Sequence, residues 1–575
     1  MDLLAPMPSA RLLPLIFAIA LPAGHPVYAG DSSPLEPPIR VPGMENAHIG
    51  DWAAMNADYL IDTATDDDLA ADLANRGWYQ LQLFRSPEAA RHLIGALRHD
   101  PECGIAWVGL ALALLEWGSE GAEARQQAAA AALATLEQAT AEERAWILAL
   151  DALEKGGTRA FAAALEKAAE ANPRNPHAPL MRALILRDGF DTPDTPGPGQ
   201  NAALAIQQDL ADARPDDPLP LHLAIQLWLV TPNPGDQAAT DARRLIASSP
   251  PSGYLMQAAA MLLARLGHHT EAAEALGRAR LFEEESMTRS RLAAAVNPTY
   301  LDTVETLCLT LAEAGQMEEA TAIAAAAREI DMPWDRPSSV ALRTFAFFTL
   351  TLEARLHARA GQWEAALESL PPIDHPLVET SHPSGYFLEF LASYLQGRIA
   401  LENEEADKAS ALAAHMDEIA ELMQRSAQTP NHRAMGQHWQ EATAITEYLR
   451  YDLRTHLAAS RGDKDLARIW WSGAAERWPP LANRPIPRWP IPPAESHATA
   501  TATLGRHEES KQLLHFADLQ KPGSGWILSA LAAALRQSGE DEAADKALAA
   551  ANRAWSAADP SLATARNVTP ESTPE

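Results

Sequence analysis

The sequence predicts an all-α fold, a solenoid of stacked helix pairs, and three observations predict it. A Gly recurs with an Ala five residues later, an apolar or small residue four further on, and another Ala three after that. It reads Gly267, Ala272, Leu276, Ala279; Gly315, Ala320, Ala324, Ala327; Gly462, Ala467, Trp471, Ala474; and Gly539, Ala544, Leu548, Ala551. Gly505, Ser510, Leu514, Ala517 and the shorter Gly361, Ala366, Leu370 vary the same rule. Gly closes one helix where the backbone turns, and small residues at helical spacing let the next helix lie close against it. Composition is the second observation: 47% hydrophobic residues with only 6% aromatics point to Ala and Leu between helices. Length is the third, because a 575-residue chain can run as one body when each unit packs on its neighbours. A repeated helix-turn-helix argues for a binding surface before it argues for an enzyme.

The elements follow in order. Arg11, the apolar run 12–21 and Val27-Tyr28-Ala29 read as a secretory signal peptide over 1–29. The run is short for a membrane span, so we expect no membrane insertion and a periplasmic or secreted protein. Residues 30–55, with Ser32-Ser33-Pro34 and Pro37-Pro38, read as a Pro-rich linker, and 56–558 as the solenoid. Its first unit runs from Leu73 to His99, with Gly77 inside the first helix, and Trp107, Leu110, Ala111 and Leu114 share one face of the next. Thr140 with Glu143 forms a capping box, Gly156-Gly157 breaks that helix, and 160–171 returns. Three prolines and two glycines make 191–199 a loop. Trp478 and Trp489 with the prolines between them make 478–493 an extended strap interrupting the repeats, and 559–575 reads as a disordered C-terminal tail.

Charge and motifs bound the function. A formal net charge of −30 disfavours nucleic acid and anionic lipid and favours a basic partner. The two cysteines, Cys103 and Cys308, fall in distant repeats and read as buried free thiols. There is no His-Glu-x-x-His, Gly-x-Ser-x-Gly, Gly-x-Gly-x-x-Gly or phosphate-binding Gly-Lys-Ser/Thr segment. No catalytic residue, cofactor or metal is assigned.

These signatures resemble the tetratricopeptide repeat, with its period of about 34 residues. The stretches Ala74-Asn75-Arg76-Gly77 through Asp100-Pro101 to Ala111, Pro487-Arg488-Trp489-Pro490 through Ser496, and Gly525-Trp526-Ile527 through Ala554-Trp555 resemble exported bacterial tetratricopeptide-repeat proteins of an uncharacterised subgroup. The resemblance implies a right-handed superhelix whose concave face, lined by each unit's first helix, holds a protein or peptide without catalysis. It also implies a central set of positions where relatives carry histidines at one-turn spacing. Here those positions read His222 and Gln226; Tyr254, Gln257 and Met261; Asp302 and Glu305. His222 alone reads as a satisfied core or groove residue, and Asp302 with Glu305 as a solvated acidic turn. The alternatives are a metal-binding protein or enzyme with a degenerate site at these positions, or a toroid acting on glycans. His268, His269 and His507 follow repeat glycines and read as packing residues.

Overall fold

A computed structural model describes residues 57–565 except 119, 193, 249–251, 333–339, 373–374, 376–382, 427–435 and 483, together with 39, 41 and 55. The expected signal peptide at 1–29 lies outside the described residues, as do most of the expected linker and 566–575. The described chain is all-α helical repeat, with one two-stranded antiparallel ribbon, Phe190–Thr192 against Thr195–Pro196, where the composition predicts only a loop. Asp188 beside it accepts the N–H groups of Gly199 and Gln200, capping helix Pro198–Ala213. Among the described residues no helix is long and apolar enough to cross a membrane.

The chain divides into two compact units: residues 1–262 with 277–300, and residues 263–276 with 301–575. Unit one opens with the helix pair Asp68–Gln82 and Ser86–His99, and Asp67 caps the first by accepting from Leu69 and Ala70. The Thr140/Glu143 capping box forms as expected, and Gly157 at φ 70° splits Ala141–Ala171 where the Gly pair predicts a break. Its core gathers Trp78, Trp146, Leu93 and Leu110, and takes in Ile39 and Val41 from the expected linker. Those two side chains bury apolar surface that a bare spacer would leave in water.

Unit two carries most of the Gly punctuation. Gly267, Gly315, Gly361, Gly462, Gly505 and Gly539 have φ between 71° and 90°. Each turn closes with the same two bonds, for example Gln316 N–H to Leu311 O and Gly315 N–H to Ala312 O, which satisfy carbonyls that the helix end leaves open. The small residues that follow do what their spacing predicts: Ala272, Ala279, Ala320, Ala324, Ala467, Ala474, Ala544 and Ala551 are all buried. Among the described residues three turns have this bond pair without Gly. Phe84 (φ 60°) and Arg291 (52°) close helices in unit one, and Glu404 (60°) in unit two.

Two indoles, Trp526 in helix Gly525–Gln537 and Trp555 at the C-cap of helix Asp541–Ala554, cap carbonyls at the end of helix Pro298–Glu313. Trp526 Nε1 donates to Ala312 O at 2.7 Å, and Trp555 Nε1 to Glu313 O at 3.0 Å. Asp559, where the sequence predicts a tail, donates its N–H to Gly315 O and caps Glu318 N, and Pro560–Ala565 is a short helix. Cys103 and Cys308 are both buried, and they are not joined in a disulfide.

Candidate ligand-binding site

The candidate positions divide between the units. His222, Gln226, Tyr254, Gln257 and Met261 lie in unit one, and Asp302 and Glu305 in unit two.

Asp302 and Glu305 share a face of helix Pro298–Glu313, as their spacing predicts, but they form no solvated turn. Glu305 is buried, with one oxygen 2.7 Å from Arg355 and the other accepting from Arg488. Asp302 pairs with Arg484 at 2.8 Å and Arg488 at 3.3 Å, and Arg488 also donates to Glu441 at 2.7 Å. The Arg488 guanidinium lies 3.7 Å from the Phe348 ring centre. Guanidinium groups already hold these carboxylates from several sides, which leaves a dication or an acid-base pair without its acceptor oxygens. This corrects the acidic-turn reading; the cause is the strap, which brings Arg484 and Arg488 onto the helix face.

The strap packs against the helices Ser384–Glu402 and Gly436–Ser460 of unit two. Trp489 meets Tyr394 edge-on at 5.5 Å, Tyr448 donates to Ile491 O at 3.2 Å, and Glu495 pairs with Arg359 at 2.6 Å. Ser496 donates to Asp452 at 2.5 Å. Trp478 and Trp489 are buried, as a packed strap requires, but Pro479–Ala482 forms one helical turn rather than extended chain, because Pro is tolerated where a helix starts. First-helix faces of unit two are therefore occupied by the chain itself.

Unit one contains a cavity of about 180 Å³. Leu81, Gln82, Phe84, Arg187, Gln226 and Tyr254 are among its walls, with further Leu, Ile, Met and Phe side chains from helices up to residue 185. The left-handed turn at Phe84 sets its ring 4.9 Å from His222 and 4.8 Å from Tyr254. Neighbours lock that turn: Ser252 Oγ donates to Leu83 O at 3.1 Å, and buried Arg85 donates to Gln80 at 2.8 Å and Ser286 at 3.1 Å. Arg187 Nη1 donates to Gln226 Oε1 at 2.6 Å, and the Gln226 amide lies 3.1 Å from His222 Nε2. Burial, helped by the Arg187 charge, pushes the His222 imidazole down to about 3, so it is neutral at physiological pH. Gln257 is buried and Met261 half-buried, and neither is among the cavity-lining residues.

The sequence reading reached Gln226 and Tyr254 but missed Phe84, Gln82 and Arg187. An Arg after an apolar helix looks like any helix end, and Phe84 carries no turn signal at all. Other histidines need correction. His269 is packed, with Nε2 3.1 Å from Pro522 O, but His268 and His507 are exposed because their helices begin on the solvent side. Deeper in unit one, burial raises Glu116 to about 8 and Glu283 to about 7. No hydrogen-bond partner reaches either Glu116 oxygen among the described residues.

No family model and no curated protein matches the sequence. Among solved structures, the chain is similar to the human IFIT1 dimer with PPP-AAAA, at 14% identity over 84% of this chain and 94% of that one, with a TM-score of 0.31. The IFIT1 monomeric mutant with Gppp-AAAA gives 15%, 85% and 95%, with 0.32. Naa15/Naa10 bound to HypK-THB gives 12%, 84% and 68%, with 0.20. Likenesses with scores this low carry no argument about what this chain binds or does. The exclusion of nucleic acid expected from the net charge is withdrawn, because two of these neighbours are recorded with capped or triphosphate RNA. The physical reason is that a net charge of −30 describes the whole chain, whereas recognition is local, as the arginines within this acidic protein illustrate.

Proposed function

We propose that the chain is a non-catalytic helical-repeat scaffold that binds a protein or peptide partner by admitting an apolar side chain of that partner into the unit-one cavity. One observation carries this reading. Phe84 holds φ 60° at a turn for which six other helices use Gly, and of the non-Gly residues in such turns it is the one whose ring forms part of the cavity wall, against His222 and Tyr254. A left-handed residue with a Cβ costs about 1–2 kcal/mol, and such strain concentrates at ligand sites. The volume supports the reading too: an apolar cavity of about 150 Å³ takes up benzene, and this one measures about 180 Å³. In unit two the strap already covers first-helix faces, which favours unit one as the point of contact.

Leu184 is another wall residue of the cavity, and affinity capture from the native source, with wild type and a cavity-filled Leu184→Trp variant of equal melting temperature, tests the proposal. Wild type should enrich one partner repeatedly and the filled variant should lose it. Equal capture by both removes the cavity from the mechanism, and no enrichment by either removes the scaffold reading.

A further inference from the structure

The cavity wall is apolar except at a few positions, and two of those are donors with unused capacity. Gln82 is buried, and its Nε2 meets no hydrogen-bond partner among the described residues. Arg187 spends only Nη1, on the side chain and backbone oxygens of Gln226. Among the described residues no carboxylate lies within ion-pair distance of its guanidinium, whereas Arg355, Arg359 and Arg488 of unit two each hold one. Burial pushes Arg187 below the ordinary guanidinium range, yet a guanidinium keeps its proton. An unpaired donor and an uncompensated cation at the edge of an apolar space share one complement: an anion with an apolar body.

We propose that the cavity binds a small amphiphilic carboxylate, whose ring or chain of about six to eight carbons fills the space between Leu81, Leu112, Phe161 and Met181 and whose carboxylate meets Arg187 and Gln82. The planar fork of a guanidinium matches a carboxylate with two parallel bonds, so an acid is preferred to an alcohol of the same shape. This inference rests on reading the cavity as a ligand site, but it needs no protein partner.

Calorimetric titration of the full chain with 3-phenylpropanoate and 3-phenylpropan-1-ol separates the two. Charged hydrogen bonds of this kind should make the acid bind about ten- to a hundredfold more tightly than the alcohol. Arg187→Gln should abolish that preference while leaving alcohol binding intact, and Arg187→Lys should keep part of it. On acid binding the His222 imidazole resonances should report a rise in its pKa, because the ligand charge offsets the Arg187 charge. Equal affinity of wild type for acid and alcohol overturns the carboxylate assignment and leaves the cavity as an apolar site. Binding of neither overturns both. A full acid preference in Arg187→Gln overturns the role given to Arg187, and if that variant does not fold, the wild-type pair and Arg187→Lys decide.

Discussion

The Oε1 of Glu305 lies 2.7 Å from a guanidinium nitrogen of Arg355, with both side chains 1% exposed. Two charges this deep are costly unless each keeps its partner, so the pair is expected to be far more sensitive to losing one member than to losing both. Glu305→Ala should destabilise the chain by about 3–5 kcal/mol, and the double change with Arg355→Leu should recover part of the loss. Urea unfolding of the two variants checks this. A loss below about 0.5 kcal/mol for Glu305→Ala would place the pair among ordinary surface substitutions.

The left-handed turns respond in opposite directions to Gly and Ala. Glu404→Gly should raise stability by up to about 1 kcal/mol, since Glu404 holds φ 60° without a backbone that favours it. Gly539→Ala, at φ 76°, should lower it by a similar amount of about 1 kcal/mol. Melting temperatures decide, and an unchanged value for Glu404→Gly means that the turn relaxes.

Gly525 is required by its neighbour rather than by its backbone angle. A Cβ there would run into the Trp555 indole, whose Nε1 is committed to Glu313 O. Gly525→Ala should cost about 1–3 kcal/mol through forced displacement of that ring, with a shift in Trp fluorescence as a second readout.

Glu116 makes stability pH-dependent on the alkaline side. Its folded value is raised from 4.5 to about 8, so the folded state binds the proton more tightly than the unfolded chain. The contribution is complete below pH 4.5 and is lost as pH rises through about 8. Glu116→Gln should therefore gain stability relative to wild type between pH 6 and 9, and chemical denaturation at several pH values would show no such gain if the carboxyl were solvated.

How much of this was legible in the sequence depends on where the information sits. The Gly turns were legible because an L-residue pays for left-handed φ, so evolution writes the turn in a visible letter. Phe84, Arg291 and Glu404 adopt the same turn in letters that say nothing, since tertiary contacts such as Ser252 on Leu83 O impose it. The strap was visible as a Trp/Pro cluster, but not the path that brings Arg484 and Arg488 to Asp302 and Glu305. The cavity escaped almost wholly, because its walls are drawn from positions between Leu81 and Tyr254, each unremarkable alone.

The two indole bonds from Trp526 and Trp555 to the end of helix Pro298–Glu313 span 214 and 242 residues of sequence. In a linear repeat array each unit touches only its neighbours, so stability is a sum of local terms and the ends can fray or be trimmed one repeat at a time. Contacts of this span break that additivity within unit two. The loop they close must be formed before they reward it, which predicts slow, all-or-none folding of the unit. Removal of the chain beyond residue 524 would then cost the unit its cooperativity rather than one repeat.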